Sequence, residues 1–584
     1  MFGKIKNITN NIATVELVKT GTIIPDILNL QVVFESENQR ILGEVKDIAE
    51  SDIQIKFLGE FQGEKYIPGV LKKPALNSII RTINGQELSI IMGKMDNDTF
   101  MLGHSPLYNN FPIYVNINSL FSNHLAIFGN SGSGKSCGVA RIVQNIFHNP
   151  NFLAYKANFL FFDAYGEYKN AFKELNKINP NYSYKFITTN PVEASDKQLQ
   201  IPFHLLTLDD ICLLLQVSEH SQLPILERAL KLTKIFAIKD EKTNDYKNSL
   251  IAKAIIAILF SNETSRQKKN EIFRIISVCN TPEFNYNTDI QGIGYTRKFS
   301  SCFEIDSKGN FGESVLINEY VLKFINDDLV YNDIPENVYY TIDDFYNALD
   351  FTLISEGFQH NSQLQDAAMI LKVRLSSIIS SNNKKFFDFP TAISKDQFIQ
   401  YLVVNDNKKA QIVNINLEDM DDALAKTIVK IFARMVFDFT KSRVNRASIP
   451  FHLFLEESHR YIQKDNDTFI LGYNIFDRIA KEGRKYGAIL DLISQRPVEI
   501  SDTVISQVSN FLIFKMTHPL DLDYIERMLP NMSSDVLDKL NSLQPGTCVS
   551  FGSAFKIPMI CKFDMPSPEP YSGNCDIVNT WKVG

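Results

Sequence analysis

Tryptophan occurs once in these 584 residues, and no cysteine has a partner at close spacing. The seven cysteines, Cys137, Cys212, Cys279, Cys302, Cys548, Cys561 and Cys575, are widely scattered and form no C-x-x-C pair. That argues against a disulfide framework and against a cysteine zinc site, and leaves the role of small buried hydrophobes. Long apolar runs are also missing. A run such as Phe159 to Phe162 falls far short of a membrane span, and the first residues lack the apolar core of a signal peptide. No membrane association and a cytoplasmic location are therefore expected. Nor is there an excess of positive charge. The formal net charge is -7, so charge alone gives no support for nucleic-acid binding, although a basic pore or stripe can sit inside an acidic protein.

Hydrophobic residues make up 44% and charged residues 22% of the chain, enough for sizeable cores in a globular protein of roughly two to four domains. Residues 1–95 carry short β-branched runs at Ile12, Leu30, Ile41 and Ile53, separated by turn residues, which predicts a small barrel or sandwich. The apolar run from Leu88 to Gly93 either closes that sheet or begins the connection onward. Residues 96–205 alternate strand and helix, the start of an α/β parallel sheet. Residues 206–400 change character: helical patterns at 208–215, 225–236, 249–260 and 367–380 predict a helical insertion. Alternation resumes over 401–544, with strands expected at 411–417, 451–456, 488–495 and 511–516 and a helix at 423–439. Residues 545–584 are punctuated by proline and glycine and read as irregular strand and an extended C-terminal arm.

One motif dominates. Gly129, Asn130, Ser131, Gly132, Ser133, Gly134, Lys135 and Ser136 spell G-x-x-x-x-G-K-S between an apolar run starting at His124 and a helical pattern formed by Val139, Ile142, Val143 and Ile146. A phosphate loop needs this context: backbone N–H groups and a helix N-terminus, reaching as far as Cys137, cradle the phosphates of ATP. Lys135 reaches the β- and γ-phosphates and the Ser136 hydroxyl ligates Mg²⁺. The alternative is an ordinary Gly/Ser loop before a helix. The strand starting at Phe451 ends in Glu456 and Glu457. The first suits Mg²⁺, directly or through water, and the second suits orienting or deprotonating water; the alternative is a pair of acids marking a turn. Arg478 and Arg484 lie on a helical stretch before the next strand, where one can serve a γ-phosphate in trans or merely line a solvated face. Gln495 ends that strand before Pro497, as a γ-phosphate sensor or as the start of a turn.

Taken together, the segments Asn123 to Ser136, Asp163 to Tyr168, Glu456 to Arg460, Arg484 to Gly487 and Ser494 to Pro497 resemble the HerA branch of the FtsK–HerA superfamily, as does the ending from Leu543 to Pro558. The resemblance implies a P-loop, RecA-like ATPase core behind an N-terminal β-barrel, with a helical insertion. It implies that Lys135 and Ser136 bind phosphate and metal, Glu456 supports Mg²⁺, Glu457 is the catalytic acid and Gln495 the sensor. Arg484 becomes the foremost trans arginine, with Arg478 behind it, and Asp163 and Glu167 take a supporting role. It further implies a homo-hexamer that translocates double-stranded DNA, a C-terminal arm that braces a neighbouring subunit, and a separate effector. That effector is a NurA-type nuclease in DNA-end resection, or a Sir2-like NAD-consuming protein or another nuclease in antiphage defence. The chain departs from the family at Ala164 and Tyr165, where Pro-His is usual, and at Asn123, where Arg is frequent. These departures and the long insertion point to the defence setting. Alternatives are a ring scaffold whose ATP turnover is regulatory, and a secretion or conjugation ATPase. The basic stretch from Lys441 to Arg446 is a candidate DNA contact or an ordinary surface.

Overall fold

The computed structural model describes residues 2–18, 27–240, 243–327, 335, 338–355, 362–463, 467–528, 539–573 and 576–582. Cys575 lies outside them. The chain forms two compact units. One comprises residues 1–197, 400–464 and 475–584; the other comprises residues 198–399 and 465–474.

The first unit is built on a large mixed sheet. Its parallel strands run in the spatial order Tyr184–Thr188, Ile412–Asn416, Phe159–Asp163, Phe451–Glu456, Ala488–Ser494, Leu125–Phe128 and Asn510–Phe514. Both faces of these strands are covered, so every residue of Phe159–Asp163, Phe451–Glu456 and Ala488–Ser494 is buried; His452 and Asp491, which interrupt two of the apolar runs, bond to each other at 2.9 Å. Beyond Asn510–Phe514 the sheet turns antiparallel, through Thr547–Gly552, Met559–Lys562, Thr99–Ser105 and Phe111–Asn116. Part of the C-terminal segment is therefore woven into the sheet. Ser567 and Pro568 lie against the chain's own helix Lys135–Phe147, where Gln144 accepts from the Ser567 N–H and donates to the Pro568 carbonyl; the Tyr571 N–H donates to the Glu167 carbonyl at 2.8 Å.

Helix Lys135–Phe147 buries Val139, Ile142, Val143 and Ile146 against the sheet. It comes close because position 138 is glycine; a Cβ there would lie 2.4 Å from the Phe514 ring. Helix Asp422–Lys441 starts where the Asp421 carboxylate accepts the Leu424 N–H at 3.0 Å.

The N-terminal strands form an antiparallel sheet in the order Phe2–Thr9, Ile12–Leu17, Asp52–Gln62, Gln39–Ile48, Gln31–Ser36 and Ile79–Thr82, with Lys65–Pro68 paired to Asp52–Gln62. It curls around Val15, Phe34, Ile41, Ile53, Ile55 and Phe57. Alternation along Asp52–Gln62 places Ile53, Ile55 and Phe57 inside and leaves Gln54 outside. The run at Leu88 is not a further strand. Asn84 and Glu87 form a capping box that starts helix Gly85–Met92, so this segment begins the connection.

The second unit is mainly helical. Leu223–Ala237, Asn244–Leu259, Ser265–Val278, Ser314–Leu322, Ile342–Ser355 and Ser362–Ser380 are its longer helices, with a hairpin of Asp289–Gly292 and Tyr295–Lys298. Leu232, Ile251, Ile255, Ile275, Phe284 and Phe351 belong to its core. No described helix is long and apolar enough to cross a membrane. The six described cysteines are free, and all but Cys137 are buried.

Candidate functional site

Four neighbouring parallel strands end at one place. Leu125–Phe128 runs into the phosphate loop, Ala488–Ser494 into Gln495, Phe451–Glu456 into Glu457, and Phe159–Asp163 ends on Asp163. Ligands of open α/β sheets bind outside such carboxyl ends.

Tertiary contacts hold the loop's shape. The Gly129 N–H donates to the Ser494 carbonyl and the Asn130 N–H to the Lys515 carbonyl, while Asn130 Nδ2 donates to Thr517 Oγ1 at 2.7 Å. Gly132 and Gly134 have φ of +74° and +90°. A Cβ on Gly134 would also lie 2.6 Å from the Gly546 nitrogen, and the Gly546 N–H donates to the Ser133 carbonyl at 2.9 Å. Gly134 leads directly into helix Lys135–Phe147, so the N–H groups of Lys135, Ser136 and Cys137 have no carbonyl one turn behind them. Cys137 continues that first turn; its Sγ lies 3.7 Å from Ser572 Oγ, and burial raises its thiol pKa.

Lys135 is buried, and its Nζ lies 3.9 Å from Glu457 Oε1. Gln495 Nε2 donates to that same oxygen at 3.1 Å. On the other side, His459 Nδ1 stands 3.3 Å from Glu457 Oε2 and 3.0 Å from Ser494 Oγ. Glu457 itself is buried at φ +48°, ψ +48°, a left-handed conformation costing a non-glycine residue on the order of 1 kcal/mol. The strain falls where the carboxylate must turn from the end of its strand toward Lys135.

Glu456 points into a separate acid group. Burial raises its pKa well above the usual carboxylate range, and the nearby charges of Asp163 and Glu167 add to that. Glu167 is raised too, by burial first, while the Ser136 hydroxyl opposes the shift through a hydrogen bond. Asp163 is fixed by three donors: the N–H groups of Glu167 and Tyr168 and the Asn414 amide, at 2.9 to 3.0 Å. Among the described residues no set of three or more His, Cys, Asp or Glu side chains is arranged to hold a metal alone. The residues nevertheless fit a metal that is also held by phosphates: Ser136 faces the acids, and buried Glu456 Oε2 and Ser133 Oγ have no hydrogen-bond partner among the described residues.

The arginines stand apart from this cluster. Helix Ile475–Glu482 ends before Arg484, which sits exposed on the 3₁₀ turn Gly483–Lys485 rather than on the helix itself. The turn tightens because Gly483 passes close to the next strand; a Cβ there would strike the Ala488 carbonyl at 2.3 Å. Arg484 Nη1 donates to Asn123 Oδ1 at 2.8 Å. Arg484 precedes strand Ala488–Ser494 and Gln495 follows it, so about 20 Å of strand separates the arginine from its own phosphate loop. Arg478 is half-buried, with its guanidinium 5.5 Å from the centre of the Phe437 ring.

His459, Asn414 and Gly546 were not singled out by the sequence. His459 stands within the quoted Glu456 to Arg460 segment, and Gly546 within the quoted ending. Nothing local marks Asn414, whose role depends on a strand 250 residues from Asp163.

The loop, its strand and helix, and the acids at neighbouring strand ends define a P-loop NTPase fold. The family model described as "Helicase HerA, central domain" matches residues 100–298. The DNA double-strand break repair helicase HerA of Saccharolobus solfataricus is 28% identical over 184 residues, 31% of this chain and 36% of that protein. Its counterpart in Sulfurisphaera tokodaii is 31% identical over 31% of this chain and 37% of that protein. These matches span little more than a third of either relative. A probable helicase of Methanocaldococcus jannaschii is 23% identical over 97% of this chain and 85% of that protein. Among solved structures, VirB4 of Thermoanaerobacter pseudethanolicus aligns with a TM-score of 0.42 and 12% identity, over 81% of this chain and 98% of that one. The chain is thus similar to HerA helicases over its central region and, at lower identity, over nearly its whole length.

Proposed function

We propose that this chain is an Mg²⁺-dependent ATPase that assembles as a homo-hexameric ring, moves double-stranded DNA and serves a separate effector protein. In this reading the loop from Gly129 to Cys137 binds the triphosphate, with Lys135 on the β- and γ-phosphates. Ser136 and Glu456 hold the metal, which supplies charge neutralisation at the phosphates when bound. Glu457, steadied by Gln495 and His459, orients and deprotonates the attacking water. The relatives named DNA double-strand break repair helicases support DNA as the substrate.

The observation that carries the reading is the division of the site. Lys135, Glu457 and Gln495 meet on one subunit, while Arg484 lies at the opposite end of the same strand and is out of reach. A second copy that brings its Arg484 to this loop completes the catalytic set, as a trans arginine does in phosphoryl transfer. Arg478, stacked on Phe437, is the lesser choice. The effector is a Sir2-like NAD-consuming protein or a nuclease in antiphage defence; a NurA-type nuclease in end resection is the other setting.

Mixing two inactive variants tests the shared site. Arg484→Ala and Lys135→Ala proteins are each expected to lack DNA-stimulated ATP hydrolysis. Mixed rings regain part of it, because an intact Lys135 can then face an intact Arg484. If mixing restores nothing although mixed rings form, the site is not shared.

A further inference from the structure

Arg484 is exposed on its turn but not loose. Its Nη1 donates to Asn123 Oδ1 at 2.8 Å and to Ser509 Oγ at 3.4 Å. Both contacts use the same nitrogen. Nε and Nη2 have no hydrogen-bond partner among the described residues, and no carboxylate there forms an ion pair with the guanidinium. The edge formed by Nε and Nη2 can meet two oxygens of one phosphate. One side of the guanidinium is thus tethered while a two-pronged edge stays open.

Asn123 is itself anchored. Its Nδ2 donates to the Ser119 carbonyl at 3.1 Å. Arg484 can only donate and that carbonyl can only accept, so a single orientation of the amide satisfies both. The next residue, His124, is buried and bonded to the Ala480 carbonyl and the Leu490 N–H. The His124 carbonyl accepts the Ser509 N–H at 3.2 Å, so the two acceptors of Arg484 are tied to one another.

A long exposed side chain loses rotamer freedom when it meets a phosphate, and one already held in place loses less. Position matters steeply, since a displacement of about 1 Å can cost on the order of 10²-fold in rate. A neutral amide suits this task. It orients the guanidinium without neutralising the charge that a phosphate would need, whereas a carboxylate at the same place would pair with it.

We propose that Asn123 is a positioning residue for the trans arginine: in each subunit it holds Arg484 with the Nε–Nη2 edge turned toward the phosphate loop of a neighbouring copy. This role rests on the shared-site reading above. It acts on the neighbour's site and not on the subunit's own loop, which begins at Gly129.

The effect is directional, so two mixtures of full-length chains are compared with the parent mixture of Arg484→Ala and Lys135→Ala. In the first, Asn123→Ala is added to the Lys135→Ala chain, which supplies the arginine. The kcat of the regained DNA-stimulated ATP hydrolysis should fall by roughly tenfold or more, while KM for ATP stays within about twofold. In the second, Asn123→Ala is added to the Arg484→Ala chain, which supplies the loop. Hydrolysis there should match the parent mixture, which also shows that the substituted chain folds and assembles. A loss in the second mixture as large as in the first would assign Asn123 to the fold or to its own loop. No loss in the first would show that Arg484 needs no holding. Either result overturns the proposal. If the parent mixture regains nothing although mixed rings form, the shared site itself falls, and this role with it.

Discussion

Glu457 concentrates the chemistry at the residue scale. Its carboxylate is shared by Lys135, Gln495 and His459, and its backbone is held left-handed to reach them. On the proposed mechanism, Glu457→Gln keeps the shape and removes the general base. Hydrolysis should fall by roughly 10²–10⁴-fold, the usual worth of a positioned general base, while ATP affinity stays within a few fold. Turnover and nucleotide titration on the same preparation check this; undiminished turnover would remove Glu457 from the mechanism. The motif was legible because a phosphate loop constrains residue type at fixed spacing. The left-handed backbone at Glu457 was not, since no local pattern marks its partner Lys135, more than 300 residues away in sequence.

At the scale of elements, His124 joins three of them. It stands just before the strand that leads into the phosphate loop. Its Nε2 donates to the Ala480 carbonyl of helix Ile475–Glu482, and its Nδ1 accepts the Leu490 N–H of the adjoining strand. Burial dominates and lowers its pKa from 6.5 to about 4. The unfolded chain therefore binds the proton first as pH falls. The neutral ring's contribution is complete above pH 6.5 and is lost progressively toward pH 4, with roughly 3 kcal/mol at stake. His124→Gln should flatten that part of the stability curve. Denaturant melts at pH 7 and pH 4.5 measure it, and an equally steep acid loss in the variant would assign the effect elsewhere. Strand and helix positions followed from periodicity at Phe159–Asp163, Phe451–Glu456 and Asp422–Lys441, where long apolar patterns leave one choice. Leu88 shows the limit. A short apolar run suits strand or helix, and the Asn84 and Glu87 caps decided for helix.

For the whole molecule, the proposed sharing of the site between copies makes activity depend on assembly. ATP turnover per chain should fall when the protein is diluted below the dissociation constant of the assembly, and recover on concentration. Native mass measurement across the same dilution would give the ring size. Constant turnover in a sample that has become monomeric would end the shared-site reading. The C-terminal segment bears on this scale too. Its proline and glycine punctuation predicts irregular strand and an extended arm; Thr547–Gly552 and Met559–Lys562 are strands of the sheet, and Ser567 and Pro568 bond to Gln144 of the chain's own phosphate-loop helix. Edge pairing depends on a partner strand from elsewhere in the chain, which local composition does not reveal.

By itself the sequence determined the phosphate loop, the strand-ending acids, the alternating core and the helical stretch within it. Each rests on local rules: a glycine where φ is positive, a lysine at fixed spacing, apolar residues at a helical or strand period. Only the tertiary structure decided which ends meet. It put Glu457, Gln495 and Lys135 together at the carboxyl ends of the parallel strands and Arg484 at the opposite end. Parallel strand order is a long-range property. The contacts that set it join residues hundreds of positions apart, and no local pattern encodes that distance.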